Sequence, residues 1–298
     1  MNASAVRVDA HQHFWQLARG DYRWLTPELT VLYRDFGPAD LEPLLARHAL
    51  DGTILVQAAP TVAETEFLLA LAERTPFVLG VVGWLDFDAA DATEVLARLA
   101  RHPKLVGVRP MIQDLADDRW MLAPGLAPIF RALVEHGLAF DALVKPRHLA
   151  HLVRLVERHP DLRVVIDHGA KPAIADGGRA WPGFERWSRE LAELARSPRV
   201  AAKLSGLVTE ARADWTAPDL APFVDVLCAN FLPDRLLWGS DWPVVELAGG
   251  YTRWWDATHA LLAERVRDER ARTGLFGRNA LDFYRISNPR PAASGRTA

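Results

Sequence analysis

Short apolar runs alternate along the chain with stretches whose apolar residues recur every three or four positions. The runs fall at Val6–His11, Thr53–Gln57, Val78–Leu85, Leu105–Arg109, Leu138–Val144, Arg163–Asp167, Ala201–Ser205 and Leu236–Gly239. Apolar segments of this length suit parallel strands covered on both faces. Between them the spacing turns helical. Leu41, Leu44, Leu45 and His48 share one helix face, and Leu126, Ile129, Phe130, Leu133 and Val134 share another, with Gly137 at the stop position. Further stripes run through Leu149, Leu152, Val153 and Val156, through Phe184, Trp187, Leu191 and Leu194, and through Leu220, Phe223, Val224 and Leu227. Thr61 with Glu64 reads as a capping box, and Asp91 with Glu94 as a related start signal.

About eight strand-then-helix units predict an α/β fold, a (β/α)8 TIM barrel. A doubly wound open sheet is the alternative, and the lack of a glycine-rich phosphate loop after the first run counts against it. The pattern reads as one domain over residues 1–288, with a Pro/Ala/Ser/Gly/Arg tail over 289–298 that is expected to fray. The stretches Arg19–Gly37 and Lys171–Gly183 are expected to form loops over the barrel mouth.

Composition narrows the function. Half of the 298 residues are hydrophobic, enough for a sizeable core, and the formal net charge of -3 argues against bulk attraction to nucleic acid or an anionic membrane. Cys228 is the lone cysteine, so no internal disulfide forms, and its helical apolar setting suits packing rather than nucleophilic chemistry. The first residues lack the pattern of a secretion signal, and no apolar stretch approaches the length of a membrane span. The expectation is a cytoplasmic protein with a small-molecule partner, a monomer or a homodimer. Of the eleven tryptophans, most are expected to be core or loop anchors. Trp242, beside Asp241, and Trp84, at a strand end, are candidates for a pocket wall.

The chemistry gathers at the predicted strand ends, where barrel enzymes carry their active sites. His11 and His13 are two residues apart, so both rings leave an extended strand on one side. The other ends offer Gln57, Asp86, Arg109, Asp141 with Lys145, His168 with Lys171, Lys203 with Ser205, and Asp241. Polar residues that interrupt apolar strands cost stability unless paired or used. His48, His102, His136 and His159 fall near helix ends, and His148, His151 and His259 sit in helical patterns where exposure is expected. That leaves His11, His13 and His168. Three imidazoles and a carboxylate can hold one catalytic divalent ion, zinc above all. Without metal the same imidazoles can hydrogen-bond a carbonyl while Asp241 activates water. The sequence leaves both routes open. Arg109 and Lys171 suit substrate carboxylate or hydroxyl groups. Gln57 suits a hydroxyl or the orientation of a histidine, and Asp141 suits an internal salt bridge as well as a substrate contact.

These segments resemble the amidohydrolase superfamily. The likeness runs from Val8-Asp9-Ala10-His11-Gln12-His13-Phe14-Trp15 to Gly277-Arg278-Asn279-Ala280. Asp167-His168-Gly169-Ala170-Lys171-Pro172 and Gly239-Ser240-Asp241-Trp242-Pro243 are its more specific segments, and they point to the sugar and dicarboxylate lactonase group. The resemblance implies a distorted barrel that hydrolyses an aldonolactone of the L-fuconolactone kind. It maps the first-strand pair onto His11 and His13, the sixth-strand histidine onto His168 and the eighth-strand aspartate onto Asp241. Binuclear members of the superfamily carry a histidine on the fifth strand, and Phe140-Asp141-Ala142-Leu143-Val144 has none. One divalent ion or none is therefore implied. The rival readings are hydrolysis of a dicarboxylate lactone, metal-dependent decarboxylation, and sugar-acid binding without turnover.

Overall fold

A computed structural model of the chain describes residues 6–287. Eight parallel strands follow one another around a single sheet in chain order. They are β1 Val8–Gln12, β2 Gly52–Val56, β3 Val78–Gly83, β4 Leu105–Val108, β5 Ala139–Ala142, β6 Val164–Ile166, β7 Val200–Leu204 and β8 Leu236–Trp238. The helices between and after them are α1 Pro38–Arg47, α2 Val62–Glu73, α3 Ala92–Leu99, α4 Ala127–Glu135, α5 Leu149–Arg158, α6 Phe184–Leu194, α7 Ala217–Phe231, α8 Gly250–Arg265, α9 Glu269–Thr273 and α10 Asn279–Phe283. Just past β8 the chain meets β1 through one bridge, Gln12 with Trp242. The result is a nearly closed (β/α)8 barrel, as the alternation predicts. The tail expected over 289–298 lies outside the described residues.

Most strands are shorter than the apolar runs that predicted them. Gln57, Arg109, Asp167 and Ser205 lie one residue beyond the last residue of β2, β4, β6 and β7. The Gln57 and Arg109 amides still bond across to Val82 and Gly83, each at 2.8 Å, so these side chains are held at the barrel end.

Two apolar layers hold the barrel. The larger packs the outer strand faces against the helices, with Phe130, Phe140, Leu152, Trp187 and Phe223 among its fully buried members. The smaller takes residues from every strand, including Val8, Ile54, Val82, Val106, Ala139, Val165, Ala201 and Leu237, and adds Ala280, Leu281 and Tyr284 from the C-terminal helix region. This inner layer is the floor beneath the site.

The helix signals hold in position, although the Asp91 side chain makes no cap bond to α3 and Val134 of the α4 stripe is exposed. Thr61 caps α2 by accepting the Glu64 N–H at 3.0 Å. Glu64 does not close the predicted box: its buried carboxylate turns back to the amides of Ala58, at 2.9 Å, and Ala59, at 2.8 Å. His148, expected to be exposed, is fully buried. Its Nδ1 accepts the Lys145 N–H at 2.9 Å, which draws the ring inward at the start of α5. The stretch Arg19–Gly37 does pass over the barrel end. Trp15 pairs with Phe36 at its base, and Trp24 Nε1 donates to the Ala58 carbonyl, just past β2, at 2.7 Å. Among the described residues, no helix is long and apolar enough to cross a membrane.

Candidate active site

The spacing of His11 and His13 has the expected consequence: their Nε2 atoms lie 3.2 Å apart. His13 Nδ1 is 2.8 Å from the Val56 carbonyl, which can only accept, so the proton sits on Nδ1 and the Nε2 lone pair faces the site. His168 arrives by a different route. From His168 to Lys171 four successive residues have positive φ, at 53°, 55°, 64° and 49°. Each non-glycine member costs about 1–2 kcal/mol, and the surrounding packing sustains it. This left-handed turn folds His168 back over the barrel, where Nδ1 meets Ser205 Oγ at 2.9 Å. Gly206, at φ 61°, lies against the ring, and a Cβ at this position would collide with it.

Asp241 follows β8, also in the left-handed region, at φ 58°. Its Oδ1 lies 3.3 Å from His13 Nε2, 3.7 Å from His11 Nε2 and 3.8 Å from His168 Nε2. The three distant segments therefore converge on one carboxylate oxygen.

Beneath them is a buried ionic layer. Lys203 Nζ donates to Asp141 Oδ2 at 2.6 Å, pairs with Asp167 Oδ1 at 2.9 Å and lies 3.1 Å from His11 Nδ1. Tyr284, from the floor, donates its hydroxyl to Asp141 Oδ2 at 2.6 Å. Asp141 is thus an internal salt-bridge partner in this structure. Arg109 Nη1 lies 3.3 Å from His11 Nε2 and 3.3 Å from Asp167 Oδ2. Gln57 clamps that arginine: its Nε2 donates to the Arg109 carbonyl at 2.7 Å, and Arg109 Nη2 donates to the Gln57 carbonyl.

The outer candidates stand apart from this cluster. Lys171 is half-buried and lies 3.6 Å from Glu210. Trp84 is half-buried, its backbone N–H donating to Thr65 Oγ1 at 2.7 Å. Trp242 is buried and packs edge-on against Phe14, at 6.1 Å, and Phe36, at 5.2 Å. Its ring anchors the mouth segment. Asp9, Asp167, Tyr251 and Tyr284 were not among the sequence candidates. A charge inside the apolar run Val6–Ala10 was the available signal for Asp9, and the local sequence carried none for the tyrosines.

Burial sets the electrostatics. It drives His11 well below its ordinary value, with Lys203 acting the same way, lowers His13, and brings His168 down to about 4. All three rings are therefore neutral near pH 7. Burial alone would raise Asp241, but as pH falls the rings of His168, His13 and His11 take up charge beside it, outweigh burial and hold the carboxyl well below the usual range. Among the described residues, two groups bring donor atoms within metal-ligand reach: His11, His13 and Asp241, and His11, Asp167 and His168. The first fits a divalent ion, since the Val56 contact already turns the His13 lone pair inward.

Comparisons with known proteins bear on the family and the fold. The family model for amidohydrolases matches residues 8–286. An L-fucono-1,5-lactonase from Burkholderia ambifaria is 49% identical over 285 residues, spanning 95% of this chain and 97% of that protein. A second L-fucono-1,5-lactonase, from Burkholderia multivorans, is 38% identical and spans 97% of this chain and 99% of its own. The crystal structure of an amidohydrolase from Burkholderia multivorans with bound zinc superposes with a TM-score of 0.88, at 37% identity, over 95% of this chain and 100% of that one. With its barrel, its histidine–aspartate cluster and these relatives, the chain belongs to the amidohydrolase family.

Proposed function

We propose that this chain is a lactonase, a hydrolase of carboxylic ester bonds, and that its substrate is a sugar lactone of the L-fucono-1,5-lactone kind. The substrate class comes from the two lactonase relatives, which align over nearly the whole chain. The observation that carries the chemistry is Asp241 Oδ1, 3.3–3.8 Å from the Nε2 atoms of three neutral histidines. That arrangement sets an ionised base beside the Arg109 guanidinium, 3.3 Å from His11 Nε2, whose N–H groups can grip a carbonyl oxygen.

In this reading the lactone carbonyl lies toward His11, His13, His168 and Arg109. Asp241 removes a proton from water as the oxygen attacks the carbonyl carbon. The oxyanion of the tetrahedral adduct faces the guanidinium of Arg109. The acyl–oxygen bond then breaks, and Asp241 returns its proton to the departing ring oxygen. The product is the open hydroxy acid. Lys171 and Trp84 are assigned to the sugar hydroxyls. Gln57, Asp141 and Trp242 act one step back, through Arg109, Lys203 and the mouth segment.

His11, His13, His168 and Asp241 are the residues that would hold a divalent ion, zinc by the nature of the donors. Such an ion supplies a Lewis acid for the carbonyl. The zinc in the crystallised Burkholderia multivorans relative supports this part of the reading. The lone Cys228 and the absence of any internal disulfide suit a cytoplasmic enzyme, working as a monomer or a homodimer.

The test is acid release, followed with a pH indicator, across a panel of aldonolactones, before and after chelation and metal replacement. L-Fucono-1,5-lactone and its stereochemical neighbours should be opened, and Asp241→Asn should lower turnover by about 10²–10⁴-fold. Failure to open any sugar lactone would refute the substrate class. Near-normal turnover by the variant would refute the base.

A further inference from the structure

The register of β1 shifts between Asp9 and Gln12, so Asp9 and His11, though two residues apart, serve opposite sides of the strand. His11 and His13 look into the barrel. Asp9 is fully buried on the far side, where it meets Tyr251 of α8. Both of its oxygens are used. Oδ1 accepts the Ser240 N–H at 2.8 Å and the His11 N–H at 3.1 Å, and Oδ2 accepts the Tyr251 hydroxyl at 3.0 Å.

These bonds lie on the one seam of the barrel that has no ladder. Seven neighbouring strand pairs form parallel ladders from β1 to β8, and the closure is the lone bridge between Gln12 and Trp242. Around that bridge three consecutive amides are tied. Ser240 N–H goes to Asp9, Asp241 N–H to the His11 carbonyl at 2.8 Å, and Trp242 N–H to Ser240 Oγ at 3.0 Å. The Ser240 hydroxyl donates in turn to the His11 carbonyl at 3.3 Å. The middle residue of the three, Asp241, holds the strained positive φ. A conformation of that kind persists only where its surroundings over-determine it.

We propose that Asp9, backed by Tyr251, is a positioning residue for the hydrolysis: it stitches β8 to β1 and so fixes the backbone that aims Asp241 at the imidazoles. The proposal rests on Asp241 being the base. Asp9 reaches the site through main-chain bonds alone. Misplacing a reacting group by about 1 Å costs on the order of 10²-fold in rate, so the seam is where a distant carboxylate can govern turnover without touching substrate.

The test uses the full chain with Asp9→Asn and Tyr251→Phe. For each, kcat and KM are measured on the best lactone, and hydrogen–deuterium exchange is compared at Gly239–Trp242 and at β6. Asp9→Asn should lower kcat by about 30–300-fold with KM changed less than about threefold, and Tyr251→Phe by about 3–10-fold, since it removes one of three donors. Exchange should accelerate at Gly239–Trp242 and stay unchanged at β6. Equal acceleration at both places would mark Asp9 as a general stability residue and overturn the proposal, as would unchanged kcat in both variants. If Asp9→Asn does not fold, Tyr251→Phe decides by the same split. A native protein that opens no lactone defeats the functional reading alone, and the exchange comparison still decides whether Asp9 holds the seam.

Discussion

Lys203 Nζ lies 3.1 Å from His11 Nδ1 and 2.6 Å from Asp141 Oδ2, with every partner fully buried. Asp167 Oδ1 lies 2.9 Å away as a second ion-pair partner. The ammonium therefore bridges two carboxylates, Asp167 sharing a second cation in Arg109, and sits beneath the histidine. Removing one partner of a buried ion pair costs about 3–5 kcal/mol, because the other charge is left without compensation. Lys203→Met should lose about that much in urea unfolding, and Lys203→Met with Asp141→Leu should recover part of it. A loss below 1 kcal/mol in the single variant would mean that Asp141 and Asp167 find other compensation.

Arg109 places a fixed positive charge 3.3 Å from His11 Nε2, an atom that would also ligate a divalent ion. Two unit charges 4 Å apart repel by about 4 kcal/mol in a medium of effective dielectric 20. The guanidinium and a metal ion therefore compete for the same place. Arg109→Met should bind zinc at least ~10-fold more tightly in a chelator competition, which requires only about 1.4 kcal/mol of that repulsion. It should also turn over more slowly for want of a donor to the oxyanion. Equal zinc affinity in both proteins would separate Arg109 from the metal site.

The same burial that neutralises the histidines shapes the rate profile. Asp241 is held well below the usual carboxylate range, so its ionisation does not set the acid limb. His168, brought down to about 4 by burial, is neutral above that value and charged below it. Protonation puts a positive charge on the ring that faces Asp241. Turnover should therefore stay level from about pH 7 down to about pH 5 and fall near pH 4. A limb centred near 6.5, the ordinary value for histidine, would mean that the cluster is far more hydrated than its burial implies.

Much of this was legible in the chain itself, for a physical reason. A strand buried on both faces reads as an apolar run, and a polar residue at its end stands out against it. His11, Arg109, Lys203 and Asp241 were visible that way. Trp242 was not, because its direction depends on the left-handed turn at Asp241, which sends the indole onto Phe14 and Phe36. Tyr251 and Tyr284 were invisible too. Their acceptors, Asp9 and Asp141, lie 242 and 143 residues away in sequence, and no local periodicity encodes such a pairing. Glu64 shows the opposite failure: a correct helix-start signal hid a carboxylate with another use.

That carboxylate gives a prediction about stability. Glu64 is fully buried, and burial raises it to about 7 although the Ala58 and Ala59 amides favour its charged form. A folded value above the unfolded one means that the folded state binds the proton more tightly. The contribution is whole below about pH 4.5, shrinks as pH rises, and is gone above about pH 7. Across that window it amounts to about 3 kcal/mol. Glu64→Gln removes the titration and leaves one oxygen for two amides, at a cost of about 1 kcal/mol that does not vary with pH. Subtracting the unfolding free energies of the two proteins from pH 5 to pH 8 isolates this group from every other titrating residue. The native protein should lose about 2–3 kcal/mol relative to the variant over that range. A difference that stays flat would mean that Glu64 is ionised throughout, held by its two amides as an ordinary buried anion.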